Sequence, residues 1–209
     1  MDNEKMHALV TLANDIRVGL FRLEDNRDLF DKLEGLGVEL LGFFDEKISA
    51  LLKWDSVAHH PIIAVNDRDS EKRQLFSLAH EIGHLFIDYG WLPEPYKAQN
   101  DFDQLDGVLN VTHYRRVGKH HDVRHTQREA LMDDFARNFL MPFDEVKVKY
   151  IDNGLQAEKT IDELVERYYV SEVAARTQLG FVKKVGGEEW QILLTLPLGK
   201  FSNENTGQR

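Results

Sequence analysis

Ser77-Leu78-Ala79-His80-Glu81-Ile82-Gly83-His84-Leu85-Phe86 is the stretch whose reading decides the fold. Upstream of it, Asp67, Asp69 and Ser70 are candidate N-caps, and Glu71 suits a first helical turn. Leu75, Leu78, Ala79, Ile82, Leu85 and Phe86 recur at intervals of three and four, the period of an amphipathic helix, and Gly90 is its expected stop. Residues four apart on a helix sit about 40° apart around its axis. His80 and His84 therefore share a face and can share a metal ion, with Glu81 beside it, placed to take a proton from water. This H-E-x-x-H spacing predicts a hydrolytic zinc site. The stripe Ser77, His80, Glu81, His84, Asp88 falls mostly off the apolar face, so the histidines are expected to point into a cleft. The plainer alternative is two histidines on a solvated face, with Glu81 an ordinary surface charge.

A hydrolytic zinc site needs a third protein ligand and leaves its fourth position to water. The best candidate is Glu129, within Thr126-Gln127-Arg128-Glu129-Ala130-Leu131-Met132-Asp133. Met132, Phe135, Ala136, Phe139 and Leu140 predict the buried face of a second helix, which Pro142 ends. Glu129 lies to one side of that face, with Asp133 one turn later. Spacing alone leaves two roles equally open for Glu129: metal ligand, or closing member of a Thr126-x-x-Glu129 capping box.

Arg73-Gln74-Leu75-Phe76-Ser77-Leu78-Ala79-His80-Glu81-Ile82-Gly83-His84-Leu85 resembles the zinc-helix segment of the ImmA/IrrE family of metallopeptidases at nearly every position. Glu129, Phe135-Ala136 and Phe139-Leu140-Met141-Pro142 resemble the family's second motif, E-x-x-A-N-x-F-A-x-x-L-L-M-P. The resemblance runs over roughly residues 36–182 and implies that Glu129 is the third ligand. Met132 and Asp133 depart from the usual Ala-Asn pair, although Asp133 can still accept a hydrogen bond near the site. By this resemblance, zinc held by His80, His84 and Glu129 would polarise a scissile carbonyl and lower the pKa of its water toward 7. Glu81 would carry the proton to the leaving amine. Asp133 and Asp88 are candidates to support the histidines from behind. Manganese or iron would also suit two imidazoles and a carboxylate. Family members often cleave a helix-turn-helix repressor or pair with a regulator in toxin–antitoxin-like modules, so a separate repressor or antitoxin is the expected partner. A zinc-binding regulatory or toxin component that acts by contact alone is the alternative.

The 209 residues can bury one substantial core. There is no cysteine, so disulfides and thiolate ligands are excluded. No apolar run is long enough to span a bilayer, and the charged start lacks a signal-peptide core, which favours the cytoplasm. A net charge of -10 argues against direct, sequence-independent nucleic-acid binding.

Along the chain, residues 1–35 read as N-terminal helices, with apolar spacing at Leu9, Leu12, Ile16 and Leu20 and later at Leu29, Phe30 and Leu33. Residues 36–150 read as the metallopeptidase core. Val38–Phe44, Ile48–Trp54 and Pro61–Asn66 are its expected strands, one exposed edge of which could hold a substrate segment by strand addition. An inserted loop at 91–127 would cover the site or contact a partner, with a possible strand over Val108–Val117. Within it, His113, Tyr114 and His125 are candidate donors to a tetrahedral intermediate. His113, His120, His121 and His125 have no clean ligand spacing among them, so a solvated loop is preferred to a second metal site. Residues 151–209 read as a helical subdomain and tail. There Thr160-Ile161-Asp162-Glu163 is read as a capping box, and Ser171 as the cap of a helix stopping at Gly180. This pair imitates a DNA-reading helix-turn-helix, offering Glu172, Arg176 and Gln178, but carries little positive charge. Trp190–Leu196 suggests a last strand. The expected class is α+β: a small, mostly antiparallel three-stranded sheet packed on a zinc-binding helical core, with a helical C-terminal portion.

Overall fold

The computed structural model describes residues 3–93, 113–116 and 123–185. Among them the α+β architecture holds, with seven α-helices and one small sheet. Helix α1 (Asn3–Asp15) passes directly into a π-helical turn, Ile16–Phe21, which ends where Arg22 adopts a left-handed conformation at φ 47°. A short 3-10 turn, Asn26–Asp28, leads into α2 (Leu29–Gly35). Gly37, at φ +89°, then turns the chain toward the sheet. Leu9, Ile16, Leu29 and Leu33 are buried as their spacing predicts, whereas Leu12 lies on the outer side of α1, 40% exposed.

The sheet corrects the expectation of three mostly antiparallel strands. It has four strands, β1 (Glu39–Phe43), β2 (Ile48–Asp55), β3 (His60–Asn66) and β4 (His113–Arg116), in the order β1-β3-β2-β4. It is mixed: β3 runs antiparallel to β2 but parallel to β1, and β4 runs antiparallel to β2. The unbroken apolar run Ile62-Ile63-Ala64-Val65 suits β3 because successive residues from Ile63 onward are buried on both faces of the sheet. The β2–β3 hairpin is closed by Asp55, whose Oδ1 accepts from the amides of Val57 and Ala58. Between β1 and β2, Asp45 accepts from the amides of Lys47 and Ile48, and Asn66 donates to the carbonyls of Asp45 and Ile48. These bonds pin the end of β3 against the β1–β2 connection, so β3 inserts between its two predecessors. β4 comes from the segment expected to be a loop, and its four described residues lie within the strand anticipated at 108–117.

Helix α3 (Glu71–Gly83) continues through a π-helical turn at His84–Asp88, and Gly90 ends it at φ +59°. Ser70 occupies the N-cap position, but its backbone carbonyl, which accepts from Arg73 and Gln74, does the capping. Helix α4 (Val123–Leu140) follows, then α5 (Phe143–Asp152), α6 (Ala157–Arg167) and α7 (Glu172–Val185). The capping box expected at Thr160–Glu163 does not form. Thr160 lies inside α6 and donates to the carbonyl of Gln156, while Glu163 accepts from Asn153. Ser171 does cap α7, accepting from the amide of Ala174. That helix runs on past Gly180 to Val185, because Val182 continues its buried face.

Two polar side chains fasten the N-terminal part to the rest. The buried Arg17 donates through Nη1 to Asn26 Oδ1 at 2.6 Å and to the carbonyl of Phe139 at 2.9 Å. Asn26, also buried, donates to the carbonyls of Leu140 at 3.0 Å and Tyr168 at 2.6 Å. These are the ends of α4 and α6, where helix carbonyls lack intrahelical partners. No helix among the described residues is long and apolar enough to cross a membrane. The strand expected at 190–196, the tail, His120 and His121 lie outside the described residues.

Candidate metal centre

The centre forms where α3 crosses α4. Gly83, between the two histidines, makes the close crossing possible. A Cβ at this position would lie 3.0 Å from Met132 Sδ and 3.0 Å from Phe135 Cδ1, both on α4. With no side chain there, the two helices approach and bring residues 80, 84 and 129 to one point. Phe135, Ala136 and Phe139 of α4, together with Leu78, Ile82 and Leu85 of α3, are fully buried around this crossing.

His80 Nε2 and His84 Nε2 stand 3.2 Å apart. Glu129 reaches both rings, with Oε2 3.2 Å from His80 Nε2 and Oε1 3.6 Å from His84 Nε2. Zinc bonds of about 2.0–2.1 Å in a tetrahedron place neighbouring donor atoms roughly 3.3 Å apart. The two contacts of 3.2 Å lie close to that edge length and the 3.6 Å contact, made by the other carboxylate oxygen, is somewhat longer, so the group can hold a small ion and leave a position for water. His80, His84 and Glu129 each offer one ligand atom, all within 4.8 Å of one another.

The far side of each imidazole supports the same assignment. His80 Nδ1 lies 2.8 Å from Asp133 Oδ1, and His84 Nδ1 lies 2.6 Å from Asp88 Oδ2. A carboxylate only accepts, so each Nδ1 carries the proton and donates it. In a neutral ring the Nε2 lone pair is then left facing Glu129 and the space between the rings, the tautomer that a metal requires. Asp88 is nearly fully buried, its side chain 4% exposed, and is held from behind by Arg128. Arg128 Nε donates to Asp88 Oδ2 at 2.7 Å, and Nη2 lies 2.7 Å from Oδ1. Burial alone would raise the Asp88 carboxyl, but hydrogen bonds from His84 and Arg128 outweigh it and hold the group below the usual carboxylate value.

Two expectations are corrected here. The stripe Ser77, His80, Glu81, His84 is buried, each residue no more than 1% exposed, because α4 covers the face that the helix pattern left polar. The open side lies toward Glu129 and Asp133, whose side chains are 21% and 35% exposed. The capping-box role for Glu129 also falls away, since α4 begins at Val123 and Thr126 is already inside it. Among the candidate donors, His113 and Tyr114 lie on β4 opposite Leu52 and Leu51, and His125 lies in the first turn of α4. Their side chains lie outside the described residues. Arg128 is the residue that sequence reading missed. Its only local signal is adjacency to Glu129, and its partner is forty positions away.

Residues 34–179 match the family described as the IrrE N-terminal-like domain, a peptidase family. The chain belongs to that family. The match covers both helices of the centre and all four strands, so this IrrE-like chain contains a zinc-metallopeptidase-like domain with a metal-competent His80–His84–Glu129 group. No curated protein matches the chain. Within the IrrE-like domain, Gln178 of α7 is buried and donates to Asn138 Oδ1 and the carbonyl of Met141. Arg176 is paired with Glu158 and Glu172. Of the three side chains offered for reading DNA, Gln178 is thus held in the interior, and Arg176 and Glu172 are paired with each other at the surface.

Proposed function

We propose that this protein is a zinc-dependent endopeptidase whose substrate is a separate protein, a helix-turn-helix repressor or antitoxin-like regulator. The observation that carries the reading is the convergence of His80 Nε2, His84 Nε2 and the Glu129 carboxylate, at contacts of 3.2, 3.2 and 3.6 Å, with both Nδ1 atoms tied back to carboxylates. His80, His84 and Glu129 would hold the ion, which supplies Lewis acidity toward a carbonyl and acidifies water. Zinc is preferred because two imidazoles, one carboxylate and a position for water make a ligand set of catalytic zinc, whereas manganese and iron sites commonly take more ligands.

Glu81 adjoins His80 on α3 and is buried with it. Its role is to accept a proton from the attacking water and return it to the leaving amine. Asp133 and Asp88 keep the two rings in one orientation and one tautomer, so that no reorganisation is needed when substrate arrives. β4 lies at the sheet edge among the described residues, and its free side suits an extended substrate segment. The regulator as target follows from the family resemblance.

The test combines metal content with cleavage. Purified protein should carry about one zinc per chain, and co-incubation with a small regulator encoded beside it should give two fragments. Glu81→Gln should retain zinc and lose cleavage by about 100-fold or more, the contribution of a positioned general base. Full turnover by a zinc-loaded Glu81→Gln protein would remove Glu81 from the mechanism.

A further inference from the structure

The ion pair behind His84 does more than neutralise a buried carboxylate. Asp88 Oδ2 accepts from His84 Nδ1 on one side and from Arg128 Nε on the other, at 2.6 and 2.7 Å. Arg128 Nη2 closes a second contact on Oδ1 at 2.7 Å. The guanidinium therefore grips the carboxylate in a two-point fork, which fixes direction as well as distance. Asp88 lies in the π-helical turn that extends α3, and Arg128 is the immediate neighbour of Glu129 on α4. One fork thus joins the segment carrying His84 to the turn carrying the third ligand.

We infer that Arg128 is a positioning residue for the metal centre, setting the His84 ring and the Glu129 carboxylate at their mutual distance through Asp88. The inference rests on the reading of His80, His84 and Glu129 as zinc ligands. It has a consequence of definite sign. Viewed only as charge, a guanidinium beside a cation site opposes metal binding, so its removal should tighten zinc. As a positioning residue it pre-pays the ordering of two ligands, so its removal should weaken zinc. Arg128 is half exposed, with its side chain 54% accessible, so shortening it opens no cavity in the core.

The experiment measures zinc affinity by competition with a chromophoric chelator for wild type, Glu129→Ala, Arg128→Ala and Arg128→Lys. Cobalt absorption spectra and melting curves of the metal-free proteins accompany it. Loss of an outer-shell partner of a metal ligand weakens binding by about 10–100-fold, and Arg128→Ala should fall near the lower end. Arg128→Lys should recover part of the loss, because a point charge still faces Asp88 without the fork. The intense visible bands of tetrahedral cobalt should weaken in Arg128→Ala, and its metal-free protein should still unfold in one cooperative transition, at a lower temperature because the buried Asp88 loses the Arg128 side of its ion pair. Zinc affinity of Arg128→Ala equal to or tighter than wild type, with Glu129→Ala impaired, would overturn the positioning role and leave the metal centre standing. Failure of the wild type to bind zinc at all would overturn both.

Discussion

Asn26→Ala should be among the most damaging single substitutions outside the metal centre. The Asn26 carboxamide makes three buried hydrogen bonds: it accepts from the Arg17 guanidinium at 2.6 Å and donates to the carbonyls of Leu140 and Tyr168 at 3.0 and 2.6 Å. A bond to a charged partner contributes about 1.5–3 kcal/mol, and each neutral bond about 1 kcal/mol. Their sum is roughly 4 kcal/mol, and water entering the vacated space returns some of it, leaving a net loss of about 3 kcal/mol. That is a large share of the 5–15 kcal/mol on which a domain typically rests. For a chain of this size it corresponds to a fall of roughly 10 °C in Tm. Urea unfolding at neutral pH would read the loss as a lower midpoint with an unchanged slope. The folded fraction should keep its zinc affinity, because Asn26 touches the end of α4 about three turns from Glu129. A loss below about 1 kcal/mol would show that Arg17 and the two helix ends find equivalent partners in water, and the network would then carry no weight in the fold.

Two further outcomes follow from single contacts. Asp133→Asn restores the residue usual in the family and keeps an acceptor for His80 Nδ1, but removes the charge that makes the ring a stronger donor to metal. Zinc affinity should fall by about tenfold, and an unchanged affinity would show that hydrogen bonding alone is what His80 needs. The Tyr168 hydroxyl donates to Glu145 Oε2, and burial, then the bond to Glu145, push its pKa up to about 12. An unfolded tyrosine ionises near 10, so the stability from this group is complete below about pH 10 and is lost as the pH rises toward 12. Tyr168→Phe should flatten that part of the alkaline decline in unfolding free energy; parallel curves for the two proteins would refute the assignment.

Much of the fold was legible because it is local. Each of the three strands read from sequence is found within a residue or so of its expected bounds, and Gly37 and Gly90 turn the chain at positive φ where a β-carbon would be strained. Helix α3 could be read with its two histidines because four-residue spacing is a property of the chain itself. Misreadings cluster where a local pattern had a plausible local explanation. Thr160–Glu163 has the spacing of a capping box, yet the helix starts earlier, at Ala157, because Thr160 is needed in the interior. Thr126–Glu129 has the same spacing, and there too the helix begins upstream. Gly180 reads as a stop, but the buried face continues through Val182 and the helix with it.

By itself, then, the order of residues determined the identity of two imidazoles and an acid at helical spacing, the absence of thiol ligands, and the strands that precede them. Tertiary structure alone decided that β3 enters the sheet between β1 and β2, since strand order depends on which backbone edges remain to be paired once the hairpin has formed. It decided that the polar stripe of α3 is buried, because only the packing of α4 over Gly83 converts a solvated face into an interior one. It also brought Asp133, a candidate from the sequence, against His80 and set Arg128 against Asp88. Those bonds join residues forty or more positions apart, and periodicity within one helix carries no information about the helix that will lie across it.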